Sequence, residues 1–342
     1  MTSGQNMYFR LQDLPPRWAR FCVNIHSFME EMIQESLEGK NILLSLSGGP
    51  DSIGLLRVLD FLRPRAGFFL SAVHLNHMLR EESFSEHDFV QEQCSNLKIP
   101  LHAGSSNVRS YSRWKKKGIE ESARIIRYRF VRDVAEKEGS DFILTAHHLN
   151  DLAEDVLMRL GRGTGWPGLC GMKGFDPERK LLRPLIITPK KNILDFLHLL
   201  NQYYVTDKSN EDLFFTRNKV GLKIVPLMEE INPGFLESIA SLWRLGRSDE
   251  QFWEDALKGI YFKQEGAESF FAYENLCSLS KSGRLRLYKK ILDKLGPGQS
   301  LASNLWDLDK CWESGTGGKM IMFPGNKFAK IEKRGIRFGL LS

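Results

Sequence analysis

The sequence predicts an α/β protein in which a parallel sheet with crossover helices is followed by a helical linker and a small α+β C-terminal domain. Three observations predict it. Before residue 150, short apolar runs alternate with stretches of helical period. One of those runs, Asn41 to Ser45, passes through a glycine turn straight into a helix. Beyond about residue 265 the composition changes, and strand-like runs flank the turn Pro324-Gly325-Asn326. At 342 residues and 42% hydrophobic content, the chain can form two or three domains with real cores. The expected divisions are a flexible arm at 1–20, a sheet domain at 21–215, a helical linker at 216–264 and the small module at 265–342.

The elements follow in order. Phe21, Ile25, Phe28, Met29 and Met32 recur at helical spacing and read as packing before the first strand. The helix after the glycine turn has Ile53, Leu55, Leu56, Val58 and Leu59 on its apolar side. Phe68 to Asn76 is a second strand with His77 and Arg80 at its end, Phe84 to Leu97 a helix, and Pro100 to Asn107 a third strand. Strands and helices alternating at this spacing imply parallel pairing, with ligands at the carboxyl ends of the strands. Arg109 to Lys117 is basic, with Tyr111 and Trp114 set into it, a composition equally suited to RNA contact and to a solvated loop.

Ile119, Ala123, Ile126, Phe130 and Val134 form a buried helical stripe, while Glu120, Arg124 and Arg127 share another face. Two arginines one turn apart can clamp a phosphate or carboxylate, and a helix laced with salt bridges would show the same spacing. Asp141 to His147 is the fourth strand and leads into a helix whose first turns carry Asp151 and Glu154 on one face. Such a pair can hold magnesium or a cationic substrate group, or can simply complement the helix dipole. Thr188-Pro189 suggests a helix start with Thr188 as cap. A long helix is expected to run to about residue 260. Met320 to Phe323, Phe328 to Ile331 and the alternating Ile336, Phe338 and Leu340 suggest a small antiparallel sheet.

A strand ending in a glycine turn at a helix start aims backbone N–H groups and the positive end of the helix dipole at one point, where an anion belongs. No G-x-x-x-x-G-K-[ST] loop occurs anywhere in the chain. Gly163, Gly165 and Gly168 spell a formal G-x-G-x-x-G, but they follow a helix and Pro167 interrupts them, so a dinucleotide site is not expected. That stretch reads instead as a mobile loop offering Arg162 and Trp166 to a substrate. Ser47-Gly48-Gly49-Pro50-Asp51-Ser52 matches the S-G-G-x-D-S signature of the PP-loop ATP pyrophosphatases.

The chain carries 48 basic and 42 acidic residues, net +6, a mild excess that suits a nucleic-acid partner. Its five cysteines are scattered without a C-x-x-C pair and read as reduced thiols, with no zinc or iron–sulfur site. No signal peptide or membrane span is evident, so a soluble, cytoplasmic protein without membrane attachment is expected.

Several motifs share one resemblance. The 47–52 turn, Val73 to Arg80, Gly118 to Tyr128, Thr145 through Glu154, and Arg159 to Gly165 resemble the tRNA(Ile)-lysidine synthetases in order and spacing. The likeness continues through Leu182 to Leu185, Asp207 to Asn210, and Arg217-Asn218 to Pro226. That family joins free L-lysine to C2 of the wobble cytidine in a tRNA(Ile) with a CAU anticodon, through an adenylated cytidine. AMP and pyrophosphate are released.

The resemblance implies a PP-loop domain of the adenine nucleotide α-hydrolase type. Ser47, Gly48, Gly49, Pro50, Asp51, Ser52 and His77 would bind ATP, and Asp51 and Asp151 would hold Mg²⁺. Asp51, Asp151, Glu154, Arg124 and Arg217 would carry the catalysis, Arg127 being the alternative to Arg124. It further implies tRNA contacts by the linker and the C-terminal module, and leaves room for a homodimer. The sequence departs from the family pattern at Asn150, Leu152 and Gly221, where two polar partners and an arginine are usual, and Lys223 is the nearest basic replacement. Two alternatives stand beside the ligase: another PP-loop tRNA-modifying enzyme such as a thiolase, and an inactive protein that binds tRNA or nucleotide.

Overall fold

A computed structural model describes residues 8–76, 83–116, 118–206, 216–260, 263–265, 268–298 and 300–341. His77, Arg80 and the Asp207–Asn210 motif lie outside these residues. The chain divides into two compact units, residues 1–155 with 171–240, and residues 156–170 with 241–342.

In the first unit α1 (Pro16–Ile33) precedes β1 (Asn41–Ser45), α2 (Pro50–Ala66), β2 (Phe69–Asn76), α3 (Ser83–Asn96), β3 (Leu101–Ser105), α4 (Val108–Lys115) and α5 (Ile119–Lys137). Then come β4 (Phe142–Leu144), α6 (Leu149–Gly161), β5 (Phe175–Asp176), β6 (Leu181–Leu182) and α7 (Lys190–Leu199). The sheet order is β3-β2-β1-β4-β6-β5, parallel except for the terminal pair β5 and β6. From β1 the chain builds outward through β2 and β3, then returns to place β4 on the other side of β1. The order of strands therefore reverses between β1 and β4, the point where a crevice opens at the carboxyl ends of an α/β sheet.

Alternation along β1 explains the two-sided core. Ile42 and Leu44, with Leu46 just beyond the strand, join a cluster with Ile53, Leu56 and Leu197, whereas Leu43 faces Val73, Val131 and Ile143 under α5. Proline in the first turn starts α1 at Pro16, inside the stretch expected as an arm. Trp18 is then buried in an aromatic group with Phe21 and Phe196, at centroid distances of 5.4 and 5.5 Å. Gly54 lets α2 and α7 touch, because a Cβ there would overlap the Ile193 side chain.

Two local expectations shift. Of the two alternatives for Arg109–Lys117, the solvated loop gives way to the helix α4 over most of the stretch, capped by Asn107 accepting the Ser110 N–H at 3.1 Å, while RNA contact stays open. The helix expected to be capped by Thr188 has Pro189 at that position, and its Lys190 N–H donates to Asn150 Oδ1 at 3.0 Å. Past the undescribed 207–215, the chain runs through α8 (Thr216–Lys219), a π-helical turn (Val220–Ile224), α9 (Val225–Ile231) and α10 (Phe235–Ala256). One boundary between the units, after residue 240, falls within α10 and within the stretch expected as linker, and another, after residue 155, falls within α6.

The second unit holds an antiparallel sheet in the order β7-β8-β11-β10-β9. It is built from β7 (Lys263–Glu265), β8 (Glu268–Ala272), β9 (Met320–Phe323), β10 (Lys327–Glu332) and β11 (Gly335–Leu340). Helices α11 (Tyr273–Cys277), α12 (Lys281–Lys294) and α13 (Ala302–Glu313) complete it. Its core gathers Phe271, Leu287, Tyr288, Leu308, Ile331, Ile336 and Phe338. The last three strands follow the sequence expectation. Among the described residues, no helix is long and apolar enough to cross a membrane.

Candidate nucleotide and acid-pair site

At the switch point a cavity of about 1290 Å³ opens, lined by the ends of β1, β2 and β4, the start of α2 and one face of α5. The Ser47–Ser52 turn shapes its floor. Gly48 takes φ +87°, a left-handed conformation that side chains resist, and Gly49 caps α2 without any side-chain bond. Ser47 and Ser52 lock the turn from inside. Their hydroxyl oxygens lie 3.0 Å apart, Ser52 Oγ accepts the Ser47 N–H at 3.2 Å, and its own hydroxyl donates to Gly49 O at 3.0 Å. Pro50 has no N–H to satisfy. The open start of this 17-residue helix thus points its dipole into the cavity, as an anion site requires.

Opposite the turn stand the acids of α6. His148, buried at 4% exposure, lies between the two elements. Its Nε2 is 3.5 Å from Asp51 Oδ1 and its Nδ1 is 3.4 Å from Asp151 Oδ2. Asp151 Oδ2 also accepts the His148 N–H at 3.0 Å. Arg217 closes the other side, donating from Nη2 to Asp151 Oδ1 at 3.0 Å and from Nε to Glu154 Oε2 at 2.9 Å. The structure therefore brings Asp51, Asp151, Glu154 and Arg217 into one chain of contacts through His148.

The two acids are tuned apart. Burial alone would raise the Asp151 carboxyl, but His148, His147 and Arg217 outweigh it and hold the group below its usual range. Burial and the neighbouring Asp151 charge push Glu154 upward, against the pull of Arg217. Burial likewise disfavours charge on His148, yet Asp151 and Asp51 more than offset it and raise its affinity for a proton. An acid that loses its proton more readily, beside one that holds its proton more tightly, is the arrangement that separates charge binding from proton transfer.

Arg124 and Arg127 both line the cavity from α5 and flank the Tyr128 ring, with guanidinium carbons 5.4 and 5.8 Å from its centroid. Trp166 and Arg162, expected to be free for a substrate, are fastened within the second unit. Trp166 Nε1–H donates to Asp249 Oδ2 at 2.6 Å and Arg162 Nε–H to Met158 O at 3.1 Å.

The three departures have local causes. Asn150 caps α7, as described. Leu152 is fully buried, a packing position. Gly221 lies in the π-helical turn against Glu154, and a Cβ there would run into Glu154 Oε1, so the acid fills the space a larger residue would need. Lys223 is exposed.

Magnesium suits Asp51 better than Asp151. Asp51 Oδ1 is buried without a hydrogen bond and stands beside the phosphate-type turn, whereas both oxygens of Asp151 already accept bonds. Mg²⁺ takes one or two carboxylates and completes its shell with phosphate and water. Accordingly, no group of three or more metal-ligating side chains is gathered among the described residues. His148 was missed as a site residue by sequence reasoning. Its signal was the His147-His148 doublet, which follows Thr145-Ala146 at the end of β4 and precedes the acid helix.

Residues 21–228 match the family model described as a PP-loop domain. A tRNA(Ile)-lysidine synthase of Nitratidesulfovibrio vulgaris is 37% identical over 91% of this chain and 97% of its own length. One from Petrotoga mobilis is 38% identical over 60% of this chain and 65% of its own. Among solved structures, the U34-tRNA thiolase NcsA from Methanococcus maripaludis superposes with a TM-score of 0.54 at 17% identity. It covers 67% of this chain and 80% of its own, a likeness of fold alone.

Proposed function

Since the chain belongs to the tRNA(Ile)-lysidine synthase family, we propose that it uses ATP to join the side chain of free lysine to C2 of the wobble cytidine in CAU-anticodon tRNA(Ile). The observation that carries the site assignment is the single imidazole of His148 spanning Asp51 on the nucleotide turn and Asp151 on the acid helix. ATP lies with its phosphates on the amides of the 47–52 turn and the start of α2, and Asp51 would hold Mg²⁺, which would neutralise phosphate charge. The cytidine O2 attacks the α-phosphorus and pyrophosphate leaves. The lysine amine then attacks C2, and AMP departs with that oxygen.

The chain's own groups divide this work. Arg124, with Arg127 beside it, faces the charge developing on the adenylate. Asp151 stays ionised and holds the incoming ammonium. Lysine, with an ordinary pKa of about 10.4, must lose a proton before it can attack, and Glu154, made more basic by its surroundings, accepts it. Arg217 now bonds to both acids, so lysine enters by sharing or displacing that guanidinium. Thiolation is not favoured, because no cysteine lines the cavity among the described residues. Assembly as a homodimer belongs to the same reading and is measured by sedimentation.

The test is retention of radiolabelled lysine in RNA. With ATP and a CAU-anticodon tRNA(Ile), acid-precipitable label should accumulate, and a CAU-anticodon initiator tRNA should take up far less. Label that fails to enter either tRNA would refute the ligase reading.

A further inference from the structure

Helix α4 takes no part in the site just described, yet it leaves the carboxyl end of β3, on the same side of the parallel sheet as the nucleotide turn. The next helix, α5, carries Arg124 and Arg127 into the cavity. Arg124 is the sixth residue of α5, about 8 Å of helical rise from its first. The α4–α5 corner thus stands at the approach to the reaction centre.

The chemistry of α4 is specific. Val108 is its buried side chain, while Trp114 is 71% exposed. The indole meets the Tyr111 ring edge-on, with centroids 5.9 Å apart, and Lys115 Nζ sits 3.7 Å from its ring centre. No Asp or Glu occurs between Glu92 and Glu120 in the sequence. Among the described residues, Arg113, Lys115 and Lys116 form no ion pair with a carboxylate. An indole of this size left in water, beside three cations without a carboxylate partner among the described residues, suits a polyanion that also offers flat apolar faces. Single-stranded RNA has both.

We propose that α4 receives an unpaired segment of the tRNA anticodon arm, with a base stacked on Trp114 and its phosphates met by Arg113, Lys115 and Lys116. This rests on the tRNA reading above and adds a substrate-positioning surface to it. Charge complementarity selects RNA over a second copy of this chain, since a copy would bring the same positive helix to the face.

The test uses the full chain and a CAU anticodon stem–loop RNA. Trp114→Ala should weaken RNA binding about tenfold. Trp114→Phe should restore most of that affinity, and Trp114→Leu should not. Replacing Arg113, Lys115 and Lys116 with Gln together should lower the slope of log affinity against log salt by about 2. Thermal unfolding of each variant should match the parent, because these side chains are exposed.

The proposal is overturned if Trp114→Ala binds RNA within twofold of the parent, or if Trp114→Leu binds as well as Trp114→Phe. A change in sedimentation without a change in RNA affinity would overturn it too, making this face a contact between copies. Lysine ligation measured on the same preparations separates the two readings. Ligation with an unaltered KM for tRNA in Trp114→Ala refutes the α4 surface alone. Trp114-dependent RNA binding without ligation refutes the reaction alone.

Discussion

Arg217 in the first unit and Arg284 in the second each bridge two acids, but in different company. Arg284 forks onto the fully buried Asp309 with bonds of 2.7 and 3.0 Å, reaches Glu313 at 2.6 Å and Leu279 O at 3.1 Å, and lies over the Trp312 ring. Tyr288 adds a further hydrogen bond to Asp309 at 3.3 Å. Arg217 gives one bond to each acid, keeps 31% of its side chain exposed, and ends in a contact chain where Asp51 Oδ1 has no hydrogen bond. A saturated buried network holds a fold together. One with an open end and room beside it is built to accept something else.

The comparison can be broken by substitution. The largest effect is expected on stability in the second unit. Asp309→Ala removes the forked partner of the buried Arg284, leaving it only the partly exposed Glu313, and should cost about 3 kcal/mol in urea unfolding. Replacing both partners by apolar residues should return most of that loss. Next comes Glu154→Gln, which should lower kcat/KM for lysine about a hundredfold while costing little stability. If it destabilised the protein as much as Asp309→Ala, the distinction between the two networks would collapse.

The pH profile sharpens the same point. Glu154 is raised in the folded state, chiefly by burial and then by the Asp151 charge. Its protonated form therefore favours folding below the ordinary glutamate range, and that contribution fades as pH rises through the raised value. Activity moves the other way, because the base must be empty of its proton. Lysine kcat/KM should climb through this window in the parent and lose that limb in Glu154→Gln.

A smaller effect is expected at Gly221→Ala. The added methyl displaces Glu154 from Arg217 and should reduce kcat/KM for lysine about tenfold, with KM for ATP unmoved. Unchanged lysine kinetics would show that the Glu154 position is not needed. The mildest is Ser280→Ala, which removes the hydroxyl that accepts the Gly283 N–H at the start of α12. It should cost about 1 kcal/mol of stability and leave lysine kinetics alone.

What could be read from sequence follows from range. The buried strand β1, its glycine turn, and β9 to β11 around the Pro324-Gly325-Asn326 turn announce themselves within a few residues. Helix α4 does not, because it is only eight residues long, mostly polar, and buries one side chain, Val108. Strand β8 hides its alternation by turning Ser269 inward beside Phe271. At the site, Asp151 and Glu154 were visible as a helical pair. Their tie to Arg217 spans more than sixty residues, and the fit of Gly221 against Glu154 depends on a π-helical turn that no local pattern encodes.

The central claim is that the turn at 47–52 and the acids of α6 form one centre in which ATP cleavage is completed by lysine. The most direct measurement is steady-state AMP release with CAU-anticodon tRNA(Ile) as lysine is varied. The account predicts release that rises with lysine and saturates in the parent, and that in Asp51→Asn falls far more than tRNA affinity does. AMP formed at the same rate with and without lysine would contradict it.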